Sequence, residues 1–430
     1  MSSFHSRFQT HLARCLVFLL VPVPGRMQDA TAPVLSLADA LARAASDNPS
    51  LAAHSYAQRA AEGLVEQAGL RPNPTLEFTA ENFMGTGRVQ GVRGLEATVQ
   101  ASQTFERGDK REKRVALAGR EKESAAKEFA VRRVEVLAAA ATAYLEVLAA
   151  RQRLELAAEP LRLARETVDA VDHRVKAGAA SPAESARARA ALASTQAEHA
   201  RAEAALAAAR TALAATWGGT GADVSAVTGA LRLPDALPDR EAMFARVADH
   251  PRVEHQRSLV AGRRAALDLE QAQAVQDVSV GGGVRFLREG SDAAFVAGVS
   301  VPLPVRNRNQ GNIRAARESL SGAELGVRAI EIELRAGFTA AWQDLVSAFK
   351  VAQDLRRTAL PATEEAYSIV RSAYEQGQLP IIDVLDAQRA LSALRRDILD
   401  AEADYAFALA RLDALTDANY GAVSTLISKP

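Results

Sequence analysis

Few residues in this chain could do chemistry, and their spacing narrows what that chemistry could be. The run Gly281-Gly282-Gly283 could cradle a phosphate, but no helix pattern follows it and no Lys-Ser or Lys-Thr pair completes a nucleotide loop. It reads instead as a strand region that needs close packing. The seven histidines are dispersed, and His250 and His255 are spaced so that two imidazoles do not share a helix face for a metal. A single cysteine, Cys15, excludes a disulfide framework and a thiolate cluster, and four methionines give no thioether relay for copper or silver. Acids in the turns remain: Glu184 follows Gly178 at the same interval as Asp383 follows Gly377, with Asp386 one turn further on. An acid there suits the positive end of a returning helix. Repeated by symmetry around an opening, it would also favour the entry of cations. Neither role breaks a bond, so the pattern points to passage and not to catalysis, with no cofactor and no metal site. Fifty-two basic and 52 acidic side chains leave no positive excess for nucleic acid.

These turns must be held by long helices. Hydrophobic types make up 48% of the chain but aromatics only 5%, an Ala-, Leu- and Val-rich composition that favours closely packed helices. The chain repeats itself at about 200 residues. Asp47-Asn48-Pro49 is matched by Asp249-His250-Pro251, and Gly178, Glu184 and Arg189 by Gly377, Asp383 and Gln388. Each half predicts a helix of about 35 residues, two strands, a helix of more than about 60, a Gly turn and another helix of about 35. Val147, Leu154, Leu161, Val168 and Val175 form a heptad seam in the first long helix, with Ala150, Ala157, Ala164 and Val171 between them. In the second, Phe338, Ala341, Leu345, Ala348, Ala352, Leu355, Ala359, Ala362, Ala366, Ile369 and Ala373 predict one unbroken seam. Pro160 and Pro361 should kink the two helices.

The strands alternate. Leu76, Phe78 and Ala80 oppose Glu77, Thr79 and Glu81, and Leu95, Ala97, Val99 and Ala101 oppose Glu96, Thr98, Gln100 and Ser102. Val278, Val280, Val284 and Phe286, then Phe295, Ala297, Val299 and Val301, repeat the pattern in the second half. Four strands of about ten residues suit a membrane-spanning β-barrel, with lipid on one face and water on the other. Four cannot close around a pore, and open edges are not tolerated in hydrocarbon, so several chains must share one barrel. Arg7 and Arg14, the apolar run from Cys15 to Val21 and the motif Ala30-Thr31-Ala32 read as an export signal. The expected organisation is a signal peptide over 1–32, a first repeat over 33–216, a linker over 217–238, a second repeat over 239–416 and a tail over 417–430. Strands are expected near 73–83, 94–105, 276–287 and 293–303.

This order of elements is similar to that of the TolC-type outer-membrane efflux proteins. Asn73-Pro74 through Phe83, Ser102-Gln103-Thr104-Phe105-Glu106-Arg107-Gly108-Asp109-Lys110-Arg111 and Pro302 through Ile313 resemble strings that follow the strand pairs in the CzcC and CusC heavy-metal branch. Glu106-Arg107-Gly108-Asp109 differs from the branch's Glu-Leu-Gly-Gly. Tyr374, Gly377, Asp383, Val384, Leu385 and Asp386 match the pattern at the periplasmic tip of such proteins, and Glu184 after Gly178 matches an acidic position there. Drug-exporting relatives place an arginine where this chain has Leu379.

The resemblance implies an α+β membrane protein: a homotrimer whose 12-stranded outer-membrane β-barrel, four strands per chain, continues into a long periplasmic α-helical barrel. The linker and tail would form a belt around it. It further implies an outer-membrane location in a Gram-negative bacterium and a periplasmic adaptor protein as partner. An inner-membrane RND-type proton-driven transporter would supply the energy for export of divalent heavy-metal cations. The same duct for drugs, or a soluble coiled-coil scaffold, is the alternative that the helices alone leave open.

Overall fold

In the computed structural model, residues 34–416 and 419–428 are described; the expected export signal, with Cys15, and part of the tail lie outside the described residues. The expected 35-residue helix is broken in both repeats, because a proline disfavours helical backbone at the residue before it. In the first repeat α1 (Leu37–Asp47) and α2 (Pro49–Gly69) flank Asn48, which is extended. Asn48 accepts from the Leu51 N–H at 3.0 Å and donates to the Thr216 carbonyl at 2.7 Å, tying the helix start to the end of the repeat. In the second, α5 (Arg240–Ala245) and a short 3-10 turn lead to His250, which precedes α6 (Pro251–Gln273). The buried His250 Nδ1 accepts from the Arg252 N–H at 3.1 Å, a capping role that accounts for this histidine without a metal.

Strands β1 (Thr75–Glu81), β2 (Glu96–Phe105), β3 (Val278–Leu287) and β4 (Asp292–Ser300) form one antiparallel sheet in chain order. The register aligns Phe78, Val99, Val284 and Phe295 in one row across all four strands, and Thr79, Thr98, Arg285 and Ala294 in the next. One face is therefore apolar and uncovered, with Phe78 69% and Phe295 93% exposed. On the other face Arg285 donates to Thr98 at 3.0 Å and to Glu96 at 3.1 Å. The glycine run crosses this sheet where β2 leaves little room for side chains at Gly281 and Gly283. A Cβ on Gly283 would collide with the Val99 carbonyl.

Below the sheet α2, α3 (Lys110–Lys176), α6 and α7 (Gln310–Asp354) pack in that order, so α2 and α7 lie at the two margins just as β1 and β4 do. Exposed Tyr56 and Leu64 mark one margin, and exposed Leu325 and Ile332 the other. Further down, α3 packs on α4 (Pro182–Ala215) and on α9 (Ile381–Thr416), and α8 (Leu360–Glu375) also lies on α9. At 1.5 Å per residue the 67 residues of α3 span about 100 Å. No described helix is long and apolar enough to cross a membrane.

The two prolines behave differently. Helix α3 stays α-helical through Pro160. Before Pro361 a π turn, Leu355–Ala359, separates α7 from α8, and the Leu360 N–H reaches the Leu355 carbonyl. A π turn inserts one extra residue, and the expected seam slips by one position beyond it. Phe338, Ala341, Leu345 and Ala352 are buried above the turn, but Ala362, Ala366 and Ile369 are exposed below it. Tyr367, Val370 and Tyr374 pack inward instead.

The main core lies at the middle of the helices. Buried Tyr144, Leu148, Phe338, Leu345, Tyr405 and Leu412 meet the segment Val224–Leu231 and α10 (Gly421–Ser428) there. The Tyr144 hydroxyl donates to main-chain oxygen of Leu35 or Thr228, at 3.0 and 2.8 Å. Arg151 donates to the Val227 and Gly229 carbonyls. These bonds to carbonyls fix an irregular segment whose β-pairing is a single parallel bridge between Val227 and Leu35.

Candidate functional site

The tip of the lower helices is built by the same turn twice. After α3 the Ala179 N–H bonds the Arg174 carbonyl at 2.8 Å, and after α8 the Gln378 N–H bonds the Ala373 carbonyl at 2.9 Å. Both close over a glycine in left-handed backbone, Gly178 at φ 71° and Gly377 at φ 77°, a conformation that a side chain would strain. Pro182 and Pro380 then help start the returning helices.

The acids singled out in the sequence have three different fates. Glu184 is spent on a capping box: its carboxylate accepts from the Ser181 N–H at 3.2 Å, and the Ser181 hydroxyl accepts from the Glu184 N–H at 3.3 Å. Asp386 is exposed and ion-paired with Arg389 at 2.7 Å. Leu379 supplies no partner for these acids, but Arg389 on α9 supplies one for Asp386. Asp383 is half-buried in the first turn of α9 and forms no side-chain hydrogen bond or ion pair among the described residues.

Tyr374 packs inward with Tyr367 and Val370 against Val171, Ala188, Ile381, Val384 and Leu385. The guanidinium of Arg174 lies 5.1 Å from the Tyr374 ring centre, joining the tip of the first repeat to that of the second. A further link is not legible in the sequence. Asp172 on α3 accepts from the Ser185 hydroxyl at 2.5 Å and from Arg189 at 3.2 Å. The serine bond, then the arginine, holds the Asp172 carboxyl below the usual carboxylate range. In the sequence Arg189 is visible only as a repeat landmark. Its partner lies across a turn whose geometry the spacing does not give.

Among the described residues, no three His, Cys, Asp or Glu side chains gather as a bound metal would require. The arrangement offers fixed charge and an apolar seam at the end of the long helices.

The outer membrane efflux protein family model matches residues 40–219 and 250–418, most of both repeats. The chain belongs to that family. It is an outer-membrane efflux channel with a large periplasmic part. It is 32% identical over 376 residues to the cobalt-zinc-cadmium resistance protein CzcC of Cupriavidus metallidurans, covering 87% of each chain. It is 32% identical over 305 residues to the nickel and cobalt resistance protein CnrC of the same organism, covering 70% of this chain and 71% of that one. Among solved structures, CusC superposes with a TM-score of 0.72 at 17% identity, covering 94% of this chain and 99% of that chain. VceC of Vibrio cholerae superposes with a TM-score of 0.71 at 20% identity, covering 88% and 96%. The TolC-type architecture inferred from the element order is therefore the fold of this chain.

Proposed function

We propose that this channel is the exit duct for divalent heavy-metal cations in a tripartite system, assembled as a homotrimer. In this reading it works with a periplasmic adaptor and an inner-membrane proton-driven transporter of the RND type. The observation that carries the membrane part is the sheet. Its outer strands have open edges and its apolar row from Phe78 to Phe295 is uncovered. Hydrocarbon accepts such a face but not the edges. Joining β4 of one protomer to β1 of the next removes every edge at twelve strands and brings the α7 margin of one chain against the α2 margin of its neighbour. The cargo reading is supported by the similarity to CzcC and CnrC, whose names specify metal resistance. The chain supplies a passage and no bond-breaking chemistry.

Deleting the gene should lower tolerance to cobalt, zinc, cadmium or nickel salts and leave tolerance to dyes and detergents unchanged. The opposite pattern would assign the duct to small organic molecules.

At the tip, Tyr374, Asp383, Asp386 and Glu184, carried by the turns at Gly178 and Gly377, would surround the periplasmic aperture. Threefold symmetry would repeat Asp383 around a constriction with low-dielectric walls, where a fixed charge acts more strongly than on an open surface. Replacing Asp383 and Asp386 with Asn removes charge at nearly constant shape. Trimer yield should hold while single-channel cation preference falls, most at low salt. Asp383→Asn alone should give most of the effect, because Asp386 is already paired with Arg389. Unchanged cation preference at low salt in a normal trimer would overturn the aperture reading.

A further inference from the structure

The periplasmic end of the sheet carries positive charge that the described residues do not compensate. Three turns meet there: residues 70–74 entering β1, 105–111 leaving β2 and 301–309 leaving β4. The second and third are pinned to one end of α6. Gly108, at φ 71°, lies against Val275 and the Ala272 carbonyl, and the Asn309 amide donates to the Glu270 carbonyl at 2.7 Å. Arg114 donates to the Leu70 carbonyl at 3.3 Å and draws in the first. The rim is thus built.

Arg71, Arg107, Arg111, Arg306, Arg308 and Arg314 form no ion pair among the described residues, and all but Arg111 are exposed. Of the nearby acids, Glu106 is taken by Arg114 and Asp277 by Lys110 at 2.7 Å. Asp109, Glu112 and Glu270, whose carboxylate accepts from the Asn309 amide at 2.6 Å, remain against the six arginines. The excess sits where α3 and α7 begin, at the positive ends of their dipoles, so the fold itself does not offset it. A cleft of about 470 Å³ opens among Arg71, Gln103, Glu106, Arg107, Lys110 and Arg111. Phe105, which lines the cleft, and Leu303 and Val305, which follow β4 at the same end of the sheet, are exposed, at 54%, 79% and 73%. Leu303 and Val305 continue the odd-numbered apolar phase of Phe295, Val299 and Val301 past the last ladder residue.

We propose that this rim binds anionic phospholipid of the periplasmic leaflet, with phosphate headgroups among the arginines and acyl chains against Leu303, Val305 and Phe105. The inference rests on the membrane reading above. That reading puts an apolar band directly over this rim, so the arginines fall at headgroup depth. A lipid supplies both the anion and the chain that the two kinds of side chain ask for. A free phosphate would leave Leu303 and Val305 in water.

The test uses purified trimer equilibrated with mixed vesicles of phosphatidylglycerol and phosphatidylcholine, then native mass spectrometry of the retained lipid. Phosphatidylglycerol should be enriched over its bulk fraction by on the order of threefold or more, and enrichment should fall as salt rises. Replacing Arg107, Arg306 and Arg308 with Gln should abolish the enrichment, and Arg88→Gln at the opposite end of the sheet should not. Retention at the bulk ratio by an intact trimer overturns this proposal and leaves the barrel reading standing. Failure of the wild-type chain to form a membrane trimer removes both. If the triple variant does not assemble, the wild-type salt series decides, because enrichment that persists at about 1 M salt cannot come from exposed arginines.

Discussion

Phe78→Arg should sharply reduce the heat-sensitive trimer recovered from outer membranes. Phe78 lies in the row with Val99, Val284 and Phe295 and is 69% exposed. An arginine facing hydrocarbon near the middle of a bilayer costs roughly 2–4 kcal/mol, and symmetry would apply the cost three times per barrel. Glu77→Arg, one residue away, faces the water-filled side, where Arg285 already sits among Thr98 and Glu96. It should be far milder. Equal loss of trimer in the two variants would refute the assignment of the faces, since opposite faces of one strand differ by a single residue step.

Arg356→Ala should destabilise the helical tube by about 1–2 kcal/mol at neutral pH, below the cost of removing one partner from a fully buried ion pair, because water screens the half-exposed Arg356. Glu402 on α9 has a side chain only 5% exposed, and Arg356, within the π turn, reaches it at 2.8 Å from a half-exposed position. The contact lies off the line of a good hydrogen bond, because Glu402 Oε1 has no hydrogen-bond partner. The attraction is mainly that of charge.

Burial raises the Glu402 pKa, while Arg356 and Arg232 oppose the rise. Glu155 and Arg395 line the same cavity of about 530 Å³. A carboxyl whose folded pKa is raised holds its proton more tightly when folded, so its contribution declines as pH climbs from the ordinary carboxylate range through the raised value. Without Arg356 the rise is larger, and the defect should be marked at about pH 8 and shrink at about pH 5. Glu402→Gln should cost little, since the freed Arg356 can turn to water, and it should rescue Arg356→Ala in the double variant. Denaturation of solubilised trimer at the two pH values measures both, and a defect that does not change with pH would point to lost packing instead.

Local sequence carried much of this fold. The dyad alternation of the strands specified which face is apolar, because side chains in a strand point alternately to either side whatever the surroundings. The paired landmarks at Gly178 and Gly377 marked the tip turns, because only glycine enters left-handed backbone without strain. The heptad seam located buried Val147, Ala150, Leu161, Ala164 and Val171 of α3, though not Tyr144, Leu145 and Leu148, and buried Phe338, Ala341, Leu345 and Ala352 of α7. Beyond that point a periodic pattern misled. Ala362, Ala366 and Ile369 keep the three-four spacing, yet the π turn rotates them out and brings Tyr367, Val370 and Tyr374 in. Such a turn depends on how α9 packs alongside, and no run of residues states it.

The acids at the tip show the same division. Their positions after the glycines were legible, but their roles were not. Glu184 closes a capping box with Ser181, Asp386 meets Arg389 on its own helix, and Asp383 has no partner among the described residues. The sequence by itself determined the repeat, the strand faces and the long helices, because periodicity and backbone preference act over a few residues. Only the tertiary structure decided the helix phase below the π turn, the Asp172–Ser185–Arg189 link, the burial of Glu402 and the gathering of arginines at the sheet's periplasmic rim. Each of these joins segments far apart in the chain or across a turn, and their free energies depend on distance and desolvation, which residue order does not fix.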